Sequence, residues 1–183
     1  MRLGSLAALA FSVLHVFAQG DQTVLVEPQV AMLPTLADLL TIESSTSIFY
    51  SYSRELASIS DTLSDSQSVP VTLIAPTNKA VMALARKPHQ GPVDSEITIT
   101  DEELADAQAR ANVERWVSAH IIPQSPITFD ETYPTLLTGK SITFKGDAED
   151  WRNAVIEGDI HIVGKREASN GVLFLVDRAI SSD

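Results

Sequence analysis

This chain of 183 residues contains no cysteine. That excludes disulfides, thiolate metal sites and cysteine nucleophiles together. It has no Asn-x-Ser/Thr sequon, because Asn78, Asn112, Asn153 and Asn170 all lack a hydroxyl residue two places on, so N-glycosylation is not expected. Positive charge is scarce. Thirteen Lys and Arg face 24 Asp and Glu, a net of −11, and this argues against nucleic acid or an anionic membrane as partner, since both need a basic surface. After the first residues, no apolar run approaches the roughly 18 residues of a membrane span. The C-terminus, Ile180-Ser181-Ser182-Asp183, offers no hydrophobic tail for a lipid anchor. There is no Gly-x-Ser-x-Gly nucleophile turn, no Arg-Gly-Asp and no glycine-centred calcium loop. No catalytic constellation is visible, and neither a cofactor nor a metal is expected.

What is present begins with a leader. Arg2 precedes a mostly apolar stretch from Leu3 to Phe17, and Val16-Phe17-Ala18 is a small-residue cleavage site, with Ala18-Gln19-Gly20 a second option. Residues 1–18 therefore read as a signal peptide. Its removal takes away one more positive charge and leaves a soluble chain in the secretory route. Residues 19–34 carry few signals and read as an extended lead-in.

From residue 35 the periodicity is informative. Thr35 with Asp38 forms a capping-box pattern with a short acid, which places a helix start there. Ile48, Tyr52, Leu56, Ile59 and Leu63 stand at helical spacing and predict a helix over about Ser47 to Ile59, with Asp61 to Ser68 as a loop. Val71 to Ala75 is an apolar strand bounded by Pro70 and Pro76. Thr77 caps a helix over about Asn78 to Arg86, and Lys87 to Pro92 is a surface loop containing His89. Thr100-Asp101-Glu102-Glu103 opens a helix whose apolar face carries Leu104, Ala107, Ala111, Val113, Trp116 and Val117. From His120 the period turns strand-like. Ile121-Ile122, Ile127 with Phe129, Ile142 with Phe144, Val155, Ile160 to Val163, and Val172 to Val176 are separated by glycine turns. Helices come first and strands cluster late, the order of an α+β domain.

Three landmarks in fixed order give this pattern a family likeness. Val71-Thr72-Leu73-Ile74-Ala75-Pro76-Thr77-Asn78-Lys79-Ala80-Val81 is the first. Ala119-His120-Ile121-Ile122-Pro123 is the second, and Asn170-Gly171 through Ile180 the third. Together with the leucine-turn segment Thr135 to Gly139, they resemble the fasciclin domain over about residues 30–180, with the domain itself placed at 35–180. The resemblance implies a β-wedge or sandwich of short strands with several flanking helices. It also implies a secreted or surface protein acting in adhesion, with a protein or polysaccharide partner. The chain is similar to small single-domain members from fungi, which places it outside the cell or in the cell wall, with the vacuole lumen as the alternative. Family members commonly carry Tyr-His at the middle landmark, and in animal members that neighbourhood is implicated in receptor binding. Here Ala119 stands in the tyrosine's place.

Single residues weigh as follows. His120, at a helix-to-strand junction, is a candidate binding residue, against the plainer reading of a satisfied structural histidine. Trp151, behind the acidic stretch Asp147 to Asp150, is the other candidate, since a partly exposed indole can stack on a sugar or mark a partner site. Trp116 fits the buried face of its helix. His161 and Asp159 share a strand face but are too few for a closed zinc site. The acids Asp101, Glu102, Glu103 and Asp106 are accounted for by helix capping, and Glu149-Asp150 by a solvated loop. The leading expectation is a non-enzymatic interaction domain. The alternative is a carrier holding a small apolar molecule between the helices and the sheet.

Overall fold

Proline on both sides of Val71-Thr72-Leu73-Ile74-Ala75 confines that run to a strand, and it becomes the spine of the sheet. In the structure, a computed structural model describing residues 33–91, 102–146 and 150–182, β1 is Val71–Pro76 and all six residues are buried. Before it lie α1 (Leu36–Ile42), α2 (Ser47–Ser53) and α3 (Ala57–Ser64). After it come α4 (Asn78–Met82), α5 (Glu102–Ser118), β2 (Ile121–Ile122), β3 (Thr132–Pro134), β4 (Ser141–Lys145), β5 (Val155–Ile156), β6 (Ile160–Ala168) and β7 (Gly171–Val176). The seven strands form one sheet in the order β2-β1-β7-β6-β5-β4-β3. β1 and β7 run parallel, in register from Val71↔Gly171 to Pro76↔Val176, and the other neighbours are antiparallel. The α+β expectation holds. The signal peptide, residues 19–32 of the lead-in, the Thr100-Asp101 cap and Glu149 lie outside the described residues.

Alternation along the two central strands sends side chains to opposite faces, and the core divides accordingly. Val71, Leu73, Ala75, Leu173 and Leu175 meet the helical residues Leu36, Leu40, Phe49, Ile59, Leu63, Trp116 and Val117. Ile74, Phe174 and Val176 face the other way and meet Ile142, Phe144, Ile156 and Ile162. A strand buried on both faces must be apolar throughout, which is why the two motif strands carry no alternation in the sequence.

Two asparagines tie the helices to this spine. Asn170 is fully buried. Its Oδ1 accepts from Leu36 N–H at the start of α1 (2.9 Å). Its Nδ2 donates to the carbonyls of Thr62 (3.3 Å), Leu63 (2.9 Å) and Asp65 (3.3 Å) at the end of α3. One amide thus serves groups that helix ends leave without partners. Asn78 repeats the device, accepting from Ile48 N–H (2.9 Å) and donating to Ser44 O (2.9 Å) at the entry to α2. Thr35 and Asp38 complete the expected capping box of α1, and Thr77 caps α4.

The structure departs from the periodicity in several places. The helix expected over Ser47 to Ile59 is two helices, because Leu56 is extended and serves as the N-cap of α3, which then continues to Ser64 through the expected loop. This break lets Ile59 and Leu63 reach the core. α4 stops at Met82, where the Lys87 ammonium donates to Met82 O (3.0 Å), Leu84 O (3.3 Å) and Val81 O (3.4 Å) and closes the helix end. Within the Lys87 to Pro92 loop, Pro88–Gln90 is a 3-10 turn. α5 buries only its C-terminal half, through Asn112, Val113, Trp116 and Val117. Leu104 is 60% exposed, and Ala107 and Ala111 are also exposed. Asn112 points inward to donate to His89 O (3.1 Å) on that turn. Ile127 and Phe129 form no strand and instead pack half-buried against the second core. β3 was not expected. It is held by buried Tyr133, whose hydroxyl bonds Thr128 and Glu131.

Gly171 shows how tightly the spine is set. A Cβ there would lie 1.9 Å from Val71 O, at φ +150°. Gly158, at φ +90°, has nothing within 4 Å of its Cβ position. Gly171→Ala is expected to cost more than about 3 kcal/mol and Gly158→Ala about 1 kcal/mol. Asn170→Ala, which strands several buried backbone groups, is expected to cost about 3 kcal/mol. Urea unfolding midpoints at constant m-value check this ranking, and equal costs for the two glycines would contradict it.

Candidate functional site

The ends of the parallel spine frame a broad concavity. Past Pro76, Thr77 N–H donates to Val176 O (3.0 Å), the last rung between the motif strands. The chain then turns into α4 and raises Lys79, Ala80, Ala83 and Leu84 as one wall. Past Val176, Asp177 and Arg178 run beside the start of β6. Asp177 N–H donates to His161 O (3.1 Å), Asp177 Oδ1 accepts from His161 N–H (2.8 Å), and its Oδ2 lies 3.2 Å from His161 Nδ1. Arg178 bridges to Asp159 at 2.8 Å. The far wall is Asp159, Ile160 and Val163, with Lys140 and Glu157 at the edge. A register shift between Ile162 and Gly164 throws Val163 outward, where it is 55% exposed. The result is an open groove of about 870 Å³ with apolar sides and a charged rim.

His120 supports this groove from inside. It is fully buried. Its Nδ1 donates to Trp116 O (2.7 Å), and its Nε2 accepts from Ile180 N–H (3.0 Å). Those two bonds require the neutral Nδ1–H tautomer. Its own carbonyl accepts from Ile74 N–H (2.9 Å). Burial pushes the imidazole down to about 4; the Trp116 carbonyl acts in the opposite direction, and Lys140 adds a small push the same way as burial. Phe49 and Trp116 stack against the ring at 5.5 and 4.7 Å. Ala119, where the family carries tyrosine, is also fully buried, in the second core.

Trp151 stands elsewhere. It opens a 3-10 turn, Trp151–Asn153, capped by Asp150, and is half-buried against the second core. The Arg152 guanidinium lies 4.6 Å over its ring. Trp116 is a core residue. His161 and Asp159 do not act together, since each pairs with a different residue of the segment after β7. His89 is exposed and contributes its carbonyl to Asn112. Among the described residues, no three His, Asp or Glu side chains gather as a metal set, and no helix is long and apolar enough to cross a membrane. The groups whose pKa is displaced, Asp38, Tyr52 and His120, do not line the groove.

Sequence reasoning missed the meeting of Thr77, Lys79 and Ala80 with Asp177, Arg178 and Ala179. Both groups trail the apolar runs of the two motifs, so their only signal was their common position relative to those runs.

Residues 44–182 match the fasciclin domain. A FAS1 domain-containing protein of Emericella nidulans is 31% identical over 161 residues, covering 81% of this chain and 62% of that protein. One from Aspergillus fumigatus is 36% identical over 107 residues, covering 56% and 45%. The chain thus spans about half to three fifths of the length of these relatives. Among solved structures, the FAS1 domain pair of the insect cell adhesion molecule fasciclin I superimposes with a TM-score of 0.52 at 14% identity, over 82% of this chain and 51% of that one. That likeness is one of fold.

His120 gives the domain a definite acid response. Between about 6.5 and about 4, the unfolded chain takes up a proton on this imidazole that the folded chain refuses. Its contribution to stability is therefore complete above about pH 6.5, falls as the pH drops to about 4, and is level below that. The total loss is on the order of 3 kcal/mol. Urea unfolding of the wild type and His120→Gln at several pH values isolates it. The variant is expected to be weaker at pH 7 but to lose less stability on acidification, and an unchanged slope would remove the assignment.

Proposed function

This chain belongs to the fasciclin domain family, and from that membership we propose that it is a non-enzymatic interaction domain of the secretory route, holding a protein or polysaccharide partner in the groove between α4 and the β6 bulge. Fasciclin domains are adhesion and interaction modules, typically secreted or at the cell surface. In this reading residues 1–18 are the leader, 19–34 the lead-in and 35–180 the binding domain. Its destination is the cell exterior or wall, with the vacuole lumen as the alternative. His120 has a positional part, holding Ile180 and the groove's base, and direct contact falls to exposed residues.

The observation that carries this is the convergence of the two motif segments on one open groove. On its rim Asp159 is bridged to Arg178, and Asp177 is hydrogen-bonded to His161. Catalytic sites instead hold titratable groups in environments that push their pKa values apart. Paired charges beside an apolar strip suit recognition of a chain laid along the surface, where aliphatic contacts supply area and the ion pairs supply direction. The carrier alternative draws on a second hollow of about 440 Å³, where Tyr52, Leu56, Ala109 and Val113 stand beside the polar Glu55, His89 and Arg110. Native mass spectrometry of protein from its source separates the two, since a retained apolar molecule adds to the intact mass.

Ala83 and Val163 are exposed groove residues whose substitution leaves both cores intact. The Ala83→Glu/Val163→Glu double variant is expected to fold normally. Its retention by the partners that the wild type captures from wall polysaccharide and secreted protein should weaken by about tenfold or more. Undiminished retention would displace the partner site from this groove, and turnover of a bound partner by the wild type would overturn the non-enzymatic reading.

A further inference from the structure

We propose that the cleft beside Trp151 binds one hexose unit of an uncharged polysaccharide. The cleft lies on the sheet face opposite the helices and shares no residue with the groove. Val172 and Phe174 of β7 form its floor, Ile127, Phe129 and Trp151 its walls, and Lys165 its polar side. Its volume is about 160 Å³. That is about five times the share of one water molecule in the liquid and well below the roughly 300–1,000 Å³ of a site for a drug-sized molecule. That is the scale of a single saturated ring.

The indole is held ready. Asp150 Oδ1 accepts from Arg152 N–H (3.1 Å) and its Oδ2 from Asn153 Nδ2 (3.1 Å), which fixes the turn that carries Trp151. Arg152 lies 4.6 Å over the ring system, a cation–π contact that helps orient the indole. The rest of the side chain borders the cleft. A pyranose has an apolar C–H face and a hydroxyl edge. The first suits the indole and the Phe129–Phe174 lining. The second meets Lys165 Nζ and, next to it, Glu167, whose carboxylate is 3.1 Å from that ammonium.

Charge decides which sugar. Lys165 is paired with Glu167, and Arg152 with Asp150 as well as the indole, so each of these two described cations already has a carboxylate beside it, which disfavours a second anion there. The chain's net charge of −11 repels acidic polymers further. An apolar side chain of a protein partner would cover the walls but present no hydroxyls to the Lys165–Glu167 pair at the edge. An uncharged hexose uses both, so it is the occupant the cleft favours.

This inference goes beyond the groove reading by placing a sugar subsite elsewhere on the domain, and it can fail separately because its variants lie outside the groove. Titration calorimetry of the secreted protein with short soluble β-glucan, mannan and chitin oligosaccharides provides the test. Saturable binding of at least one is expected. Its Kd should rise at least about tenfold in Trp151→Ala, less in Trp151→Phe, and not at all in Ala83→Glu/Val163→Glu. Ile127→Phe, which narrows the cleft and retains Trp151, should also weaken binding, so the conclusion does not depend on one variant folding. Absence of binding to all three sugars at millimolar concentration, an unchanged Kd in Trp151→Ala and Ile127→Phe, or competition by a protein partner alone would each overturn it. Loss of sugar binding only in the groove variant would move the sugar to the groove, overturning this inference while leaving the interaction reading in place.

Discussion

The parallel pairing of β1 with β7 is the constraint on which the rest of the molecule depends. It joins Val71–Pro76 to Gly171–Val176 across about a hundred residues, and parallel strands require a connection long enough to cross back. That connection contains α4, α5 and the strands β2 to β6. Because both members of the pair are buried on both faces, one layer of covering is not enough. The helices before β1 and α5 cover one face, and the outer strands curl over the other. The approach of Gly171 to Val71 O fixes the register at one end, and the bond from Thr77 N–H to Val176 O fixes it at the other.

The same pairing determines where the groove lies. At its exit end the two chains must diverge, one into α4 and the other along β6, and the space between them is the groove. His120 belongs to this geometry rather than to a chemistry of its own. Its neutral ring joins Trp116 on α5 to Ile180 after β7, holding the last described segment against the core. Arg115 adds a bond to Ser182 O (2.8 Å) outside it. The groove is therefore shaped by backbone held at several points, while the side chains facing solvent contribute little to holding it.

Features decided within a few residues were legible in the sequence. The Thr35–Asp38 box and the Thr77 cap are interactions over three positions, and the structure reproduces both. The α+β order and the two spine strands followed from runs long enough to have one physical reading. The break at Leu56 was hidden because Ile48, Tyr52, Leu56, Ile59 and Leu63 keep helical spacing straight through it. The burial of α5 depends on the turn at Pro88–Gln90, which no periodicity in the helix reports. Asn170 read as a turn residue, which it is, but its larger part is to serve two helix ends that lie more than 100 residues away in the chain. At position 151 the sequence showed an indole near the surface. The cleft beside it is made by β1, β6, β7 and the loop at 126–129, and only folding brings those together.

The interior and the surface use different kinds of polar chemistry. The buried polar side chains among the described residues are Thr46, Ser53, Thr72, Asn112, His120, Thr135 and Asn170. None of them is an acid, a lysine or an arginine. Neutral amides and hydroxyls satisfy buried backbone groups without the desolvation cost of a buried charge. The described ion pairs stand at least partly in solvent, where such pairs contribute little to stability. Surface charge can consequently change without loosening the fold, and among the described residues the buried imidazole of His120 couples the interior to pH. A scaffold whose integrity does not depend on its surface residues leaves those residues free to match a partner, and in this chain they combine an acidic background with two neutral concave sites.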